Sequence, residues 1–284
     1  MKREIAIVTD SAASLPQDLV DKYDITVVPF PIQFGSEAYK DGVDITREEF
    51  YRKLNGSILP STSQPSPSDF INIYEGLLKK FKTIISIHIT SEGSGTCQVA
   101  NIAKDRFPGA DIEVFDSKSA SMGIGFLVLE AAEAILRGKT KDDILCLLTE
   151  LRPEIITYAV IDSIRYLLKS GRVRTGEALM ASLLSIKPLI SIRQGVVEVV
   201  DRVRTYRTAL DRLVELAVTA IGAQPEFRLA VVHGNAIDEA NKLCARLKSL
   251  IGYEEIIVSD IGPALAIHGG PGILGIVCLP IKRR

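Results

Sequence analysis

The chain has few of the residues that build metal sites and disulfide frameworks. Its 284 residues include no tryptophan and only three histidines, His88, His233 and His268, which are too dispersed for a local metal motif. The cysteines form no CxxC pair, and they lie far apart at Cys97, Cys146, Cys244 and Cys278. We therefore expect no metal, no cofactor and no disulfides, but buried, reduced thiols in a cytoplasmic protein.

Long apolar runs are missing as well. No run reaches the roughly 18 residues that a membrane-spanning helix needs, which leaves at most a transient contact with a membrane. The start, MKREIAIVTDS, leads directly into a strand and has no signal-peptide layout. A net charge of −1 offers no general attraction for nucleic acid. The absence of GxGxxG and P-loop motifs argues against one possible function, that of a nucleotide- or phosphate-binding module.

The first half of the chain repeats the order strand, turn, helix. This order predicts a parallel, flavodoxin-like α/β sheet, with a ligand site at the carboxyl edge of its strands. Three polar loops follow predicted strands, at Asp10-Ser11, Ser91–Thr96 and Asp116–Ser119. The middle loop is rich in serine and glycine and precedes a predicted helix, which favours binding of an anion. An ordinary turn between a strand and a helix explains the same pattern.

The pattern changes after Pro153. Predicted strands follow one another, and Gln194-Gly195 between two of them indicates a hairpin. We expect a second, α+β domain with an antiparallel or mixed sheet. The predicted division is residues 1–152 and residues 153–284, with the ligand between the two domains.

Four polar features are candidates for chemistry: the Pro/Ser-rich stretch around Thr62-Ser63, the loop containing Ser94, Asp116-Ser117, and His268. His268 lies in HGGPG, which is too rich in glycine for a helix and predicts a turn. One interpretation is a serine hydrolase with Ser94 as nucleophile, His268 as base and Asp116 as orienting group. Ser94 lacks the glycine spacing of a nucleophile elbow, because Glu92 and Thr96 occupy those positions. The other interpretation is a carboxylate site made of hydroxyls, amides and an imidazole.

A set of arginines is the remaining feature. In a chain of nearly zero net charge, it indicates either a docking surface for an acidic partner or phosphate, or a solvated face with internal ion pairs. Its members are Arg172, Arg174, Arg202, Arg204 and Arg207.

Eight stretches, in order, carry a resemblance to a known family: IAIVTDSAASLP, TSQPSPSDF, SGTCQVAN, FDSKSASMGIG, YLLKSGRV, SLLSIKPLI, RVRTYRTAL and HGGPGILG. Together they resemble the DegV family of bacterial fatty-acid-binding proteins, over essentially the whole chain. The resemblance implies a flavodoxin-like domain followed by a domain with an antiparallel sheet. It also implies a non-catalytic carrier, with a long-chain fatty acid as ligand.

The resemblance assigns residues to this function. It implies that Thr62, Ser94 and His268 hold the carboxylate, with Ser63 and the Gly95 amide beside them. It further implies that a separate, dihydroxyacetone-kinase-like fatty acid kinase docks on Arg172 and Arg204. That kinase would phosphorylate the carboxylate to an acyl-phosphate for phospholipid synthesis. We expect Glu92 to face solvent, and the tail-lining candidates are residues 122–136, 179–190 and 261–267. The alternative function is a lipid esterase or thioesterase using Ser94 and His268.

Overall fold

A computed structural model describes residues 4–56, 59–163, 165–166, 171–172, 186–222 and 226–281. Elements are numbered below over these residues. The predicted helix over residues 177–184, and most of the one predicted over residues 163–169, lie outside the described residues.

The first sheet is parallel and has four strands in the order β2-β1-β6-β7. The two inner strands, β1 and β6, are fully buried, as their runs of isoleucine, alanine and valine predict. β2 lies at the edge, as the prolines that follow it predict. The strands are β1 (Ile5–Asp10), β2 (Ile25–Val28), β6 (Thr83–His88) and β7 (Asp111–Asp116).

A small antiparallel sheet extends from this first unit, in the order β4-β3-β5. Its strands are β3 (Pro31–Phe34), β4 (Glu37–Lys40) and β5 (Ser61–Thr62). The helices of the first half are α1 (Gln17–Lys22), α2 (Arg47–Leu54), α3 (Pro67–Leu78), α4 (Thr96–Lys104), α5 (Met122–Leu136) and α6 (Lys141–Leu151).

The third sheet has six strands in the order β10-β9-β8-β13-β11-β12. All its pairs are antiparallel except β11 with β12, so the sheet is mixed. Gln194 and Gly195 form the β9–β10 hairpin with positive φ at both residues, as predicted. The strands are β8 (Ile156–Val160), β9 (Lys187–Arg193), β10 (Val196–Val203), β11 (Phe227–His233), β12 (Ile256–Asp260) and β13 (Leu274–Pro280), with helices α7 (Tyr206–Ile221), α8 (Ile237–Ile251) and α9 (Gly262–Gly269).

Helix α5 joins the two large sheets, because it contacts β1 and β6 on one side and β11 and β13 on the other. Its residues belong to a single hydrophobic cluster that contains side chains from both halves of the chain. Arg228 on β11 adds ion pairs to Glu130 and Glu133 on α5. The predicted fold class, a parallel α/β sheet followed by a mixed sheet with helices, is confirmed.

The structure tests two further expectations, on the cysteines and on membrane-spanning helices. Cys97, Cys244 and Cys278 are buried thiols, but Cys146 is exposed on α6, so the expectation of four buried thiols was wrong. The helix turns Cys146 outward because Ile144 and Leu148 take the buried face. Among the described residues, no helix is long and apolar enough to cross a membrane.

Candidate functional site

A cavity of about 900 Å³ lies between the carboxyl edge of the parallel sheet and one face of the mixed sheet. This is within the size range of small-molecule sites, about 300–1,000 Å³. All five residues predicted around a carboxylate line this cavity: Thr62, Ser63, Ser94, Gly95 and His268. The fold therefore brings together side chains that are more than 200 residues apart in sequence.

Thr62 is fixed at the edge of the small sheet. β5 pairs with β3 so that Thr62 lies opposite Ile32. A few residues later Ser66 begins α3 with a reciprocal capping box to Asp69. The Pro/Ser-rich stretch is thus held at both ends, which explains why it is ordered despite its composition.

Ser94 lies in the loop between β6 and α4. Its hydroxyl is 2.8 Å from the Thr96 hydroxyl, and the Thr96 N–H donates to Ser94 Oγ at 3.4 Å. Helix α4 begins after Gly95 without a side-chain cap. A Cβ on Gly95 would lie 3.4 Å from Gln64 Cδ, which shows that this loop contacts the Thr62 loop. The Gly95 N–H makes no hydrogen bond within the described part of the chain.

His268 does not lie in a turn, as the sequence predicted, but in the last turn of helix α9. The prediction failed because the two glycines after His268 end a helix rather than exclude one. Gly270 has φ +78°, and a Cβ there would lie 2.5 Å from the Tyr166 ring, so only glycine fits. At the other end of α9, Asp41 accepts the Ala264 N–H at 3.2 Å, and burial raises the pKa of that carboxyl to about 6.

His268 Nε2 lies 3.1 Å from Thr62 Oγ1, so the two predicted ligands are hydrogen-bonded. Burial, with the nearby Arg172 guanidinium, lowers the pKa of His268 to about 4. The imidazole is therefore neutral at pH 7. Nδ1 is buried and has no hydrogen-bond partner among the described residues. If Nε2–H donates to Thr62 Oγ1, the threonine hydroxyl is left to donate its own proton into the cavity.

The two arginines implied as a docking surface lie differently. Arg172 lines the cavity, and its Nε donates to Gly93 O at 3.1 Å, directly beside the Ser94 loop. Arg204 is exposed in the turn between β10 and α7. Glu92 is exposed, as expected, although it also lines the cavity, and its carboxylate pairs with Lys118 Nζ at 3.1 Å.

The rest of the cavity wall is mainly aliphatic. It comes from the face of the mixed sheet on which alternate residues of β8 and β9 point inward. Thr157 and Ala159 come from β8, Ile161 follows directly after it, and Ile190 and Ile192 come from β9. The other aliphatic residues of the wall are Val197, Val232, Ile261, Leu265 and Ile273. Of the three predicted tail-lining segments, residues 122–136 do not line the cavity and form core instead, residues 261–267 contribute, and residues 179–185 lie outside the described residues.

The wall has a direction relative to the polar end. A Cβ on Gly272, four residues after His268, would lie 3.3 Å from Asp162 Cβ, so the loop after α9 contacts the chain just beyond β8, and Ile161 and His268 line the same cavity. Thr157 is four residues further back on the same strand, or about 13 Å away at about 3.3 Å per residue. Its hydroxyl is buried and has no partner among the described residues. A ligand headed by His268 would therefore run toward Thr157.

The hydrolase geometry is not assembled. The hydroxyl of Ser94 bonds to Thr96 and the imidazole of His268 bonds to Thr62, with no contact recorded between Ser94 and His268. Asp116 accepts N–H groups of Ser91 and Lys118 and does not line the cavity. The described residues contain no group of three or more side chains able to hold a metal ion.

A second histidine, His88, does bond to an aspartate and a serine, Asp10 and Ser86, at 2.9 and 2.7 Å. All three side chains are fully buried beneath the cavity, so they form part of the core of the parallel sheet. Asp10 also accepts the N–H groups of Ala12 and Ile89, which fixes the first polar loop to the third strand of the sheet.

Fold and cavity together define an α/β protein with two large sheets and, between them, a cavity that is polar at one end. The family model DegV, described as "Uncharacterised protein, DegV family", matches residues 4–280. A DegV domain-containing protein of Caldanaerobacter subterraneus subsp. tengcongensis is 36% identical over 273 residues, which are 96% of this chain and 98% of that protein. The chain belongs to the DegV family.

Two solved structures of similar proteins carry functional descriptions. One, described as fatty acid binding of a DegV family protein from Thermus thermophilus, has a TM-score of 0.91 and 30% identity, over 98% of this chain and 100% of that one. The other, a stearic acid-binding protein from Eubacterium ventriosum, has a TM-score of 0.91 and 25% identity, over 99% of this chain and 98% of that one.

Proposed function

We propose that this protein binds one long-chain fatty acid, with the carboxylate at Thr62, Ser94 and His268 and the tail along β8 and β9. The observation that carries the proposal is the Thr62–His268 hydrogen bond at the polar end of a cavity with mainly aliphatic walls. The stearic acid bound by the Eubacterium protein supports the same ligand class here. On this proposal the division at residue 152 separates two domains that hold the ligand between them.

Neutral donors, rather than a buried ion pair, would hold the carboxylate. Thr62 on β5 borders the cavity, as do Ser94 and Gly95 at the start of helix α4, so their hydroxyls and the Gly95 N–H are available as donors. Hydrogen bonds to a charged acceptor are roughly twice as strong as those between neutral groups. Ser63 is the exposed neighbour that would add a weaker contact.

The tail would supply most of the binding free energy. Burying about 14 methylenes contributes on the order of 11 kcal/mol, at about 0.8 kcal/mol each. Association costs of about 4–15 kcal/mol offset much of this gain. The balance suits a carrier that holds its ligand and later releases it.

We further propose that the protein is non-catalytic, acts in the cytoplasm and presents the carboxylate to a separate fatty acid kinase. Arg172, whose Nε donates to Gly93 O beside Ser94, would contact an acidic surface of the kinase next to the carboxylate. Arg204 would extend that docking surface. Phosphorylation would then give an acyl-phosphate that stays in the cavity.

The ligand is tested by mass spectrometry of the denatured protein after purification from a bacterial host. One equivalent of a long-chain fatty acid is expected, and an empty protein that fails to bind added oleate or stearate would refute the proposal. Turnover of acyl esters that is lost in Ser94→Ala would instead establish the esterase function.

The kinase is tested with the variants Arg204→Gln and, as a matched control, Arg106→Gln, another exposed arginine. Arg204→Gln should lower kinase-dependent acyl-phosphate formation about tenfold at low salt, with bound fatty acid unchanged. Equal rates for both variants would remove Arg204 from the docking surface. Arg172 is the less clean test, because it also lines the cavity.

A further inference from the structure

A second cleft, separate from the polar end of the fatty-acid cavity, lies where the two halves of the molecule meet. It has a volume of about 360 Å³. We call it the arginine cleft. Its lining residues are Lys118, Ser119, Arg152, Pro153, Ile155, Ile156, Tyr158, Ser191, Ile192, Arg193 and Gln194.

The arginine cleft forms where two strands of the mixed sheet separate. β8 and β9 pair from Val160 with Leu189 to Tyr158 with Ser191, and no further pair is formed toward the cleft. Arg193 is at the end of β9, and Arg152 lies in the connection that leads into β8. The separation leaves room between the strand ends and the loop after β7.

The charge of the cleft is positive. No aspartate or glutamate is among its described lining residues, although Glu154 lies next to two of them in sequence. Lys118 is already paired with Asp116 and Glu92, at 3.0 and 3.1 Å. Neither Arg152 nor Arg193 has a carboxylate partner among the described residues. Arg152 donates to the Asp116 carbonyl at 3.2 Å and its guanidinium lies over the Phe115 ring. Arg193 is exposed.

Ser119 lines the same cleft and supplies an independent observation. Its side chain is 2% exposed, and Oγ makes no hydrogen bond within the described part of the chain. Its backbone is fixed, because its N–H donates to Ser117 Oγ and its carbonyl accepts the Thr90 N–H. A buried hydroxyl without a partner is unfavourable, so a ligand that accepts its proton would be stabilised.

The hydroxyl of Ser119 lies at the first turn of the 15-residue helix α5. A Cβ on Gly123 would be 2.0 Å from Ser119 Oγ and 3.1 Å from Ile155 Cγ2, so these two lining residues meet over that turn. The amino end of a helix carries a partial positive charge that favours anions. The guanidinium groups of Arg152 and Arg193, the amino end of α5 and the Ser119 hydroxyl all favour an anion with several acceptor oxygens.

We propose that the arginine cleft binds a small phosphate-bearing anion, with Arg152 and Arg193 as charged contacts and the Ser119 hydroxyl as a donor. The planar guanidinium matches phosphate oxygens in a bidentate geometry, and both arginines line the same cleft, so either can contact a phosphate bound there. The proposal does not depend on fatty acid binding, since neither arginine lines the larger cavity.

The test is isothermal titration of the full-length protein with pyrophosphate and with inorganic phosphate at low ionic strength. Wild type should give saturable binding of one equivalent. Arg193→Gln should weaken it about tenfold, whereas Arg106→Gln, an exposed arginine outside the cleft, should leave it unchanged. Fatty acid content is measured by mass spectrometry in each sample, so loss of phosphate binding is distinguished from loss of the lipid.

Ser119→Ala completes the set. It should weaken phosphate binding while leaving the melting temperature equal or higher, because it removes an unpartnered buried hydroxyl. Absence of saturable binding in wild type would overturn the proposal. So would an equal loss in Arg193→Gln and Arg106→Gln, which would indicate attraction by general surface charge.

Discussion

At its polar end the main cavity is lined by residues from two loops and the end of a helix, whereas its apolar wall comes from neighbouring strands of one sheet. Thr62, Ser94 and His268 are brought together from distant parts of the chain, and each is fixed by its own local structure. Ala159, Ile190 and their neighbours share one pleated face instead. We therefore expect the polar end to determine the orientation of a ligand, and the apolar wall to determine its affinity.

Filling the wall should have the largest effect. In Ala159→Phe a ring replaces a methyl that faces the cavity, which would exclude several methylenes of the tail. Excluding five costs about 4 kcal/mol, at about 0.8 kcal/mol each, or on the order of 1,000-fold in Kd. Fluorescence displacement with a long-chain fatty acid measures it, with a thermal melt to show that the protein folds. Unchanged affinity would mean that the tail does not lie against β8.

Acidification tests the polar end through His268. Its pKa is about 4 in the folded protein and about 6.5 unfolded, so between these values the unfolded chain binds a proton that the folded chain does not. Stability should therefore fall as the pH drops from 6.5 to 4, by on the order of 3 kcal/mol from this residue.

Urea unfolding of wild type and His268→Asn at several pH values isolates that contribution, because other buried groups are common to both. The variant should lose less stability on acidification. Parallel curves would show that the imidazole is not buried in its neutral form. A bound carboxylate should raise the pKa of His268 in the folded protein, and so narrow the pH range over which this residue lowers the stability.

Loss of one carboxylate donor should have a smaller effect. Thr62→Val keeps the shape but removes the hydroxyl bonded to His268. A hydrogen bond to a charged group contributes about 1.5–3 kcal/mol, so fatty acid affinity should fall about 10- to 100-fold. Affinity for the methyl ester of the same acid should change little, since the ester has no charge. Ser61→Ala, an exposed neighbour on the same short strand, is the control and should behave as wild type.

An equal loss for acid and ester in Thr62→Val would contradict the assignment of Thr62 to the carboxylate. Ser94→Ala should follow the same pattern as Thr62→Val, since its hydroxyl borders the same end of the cavity.

The smallest effect is expected at the far end of the wall. Thr157→Val exchanges a buried hydroxyl without a described partner for a methyl group. Stability should stay the same or rise by about 1 kcal/mol, and affinity for a saturated chain should not decrease. Thermal unfolding with and without stearate measures both. A clear destabilisation would show that the hydroxyl has a structural role.

The contrast between the polar end and the apolar wall also explains which features of the structure can be predicted from the sequence. Thr62, Ser94 and His268 stand in short stretches, such as TSQPS and SGT, that carry the resemblance to the DegV family, and through that resemblance they could be predicted to lie together, as they do in the cavity. The alternation of strands and helices likewise indicated both sheets. The wall residues are ordinary aliphatic side chains that look like core. Of the described helices, α5 is the most apolar, yet it lines no part of the cavity, while Ala159 and Ile192 do.

Two local errors have physical causes. The glycines after His268 indicate a loop in the sequence, but in the structure they end helix α9, because Gly270 has a positive φ and packs against Tyr166. The polar loop Asp116–Ser119 is visible in the sequence, but the arginine cleft beside it is not, since Arg152 and Arg193 are 41 residues apart and only the folded chain brings them into one cleft.

The most direct test of the central claim is a crystal structure with a fatty acid that carries bromine at its terminal carbon, since bromine is located by anomalous scattering. The carboxylate should lie within about 3.2 Å of Thr62 Oγ1 and Ser94 Oγ. The bromine should lie along β8 toward Thr157 and Ile192. A bromine beside His268, or a ligand outside the cavity, would contradict the assignment of polar end and wall.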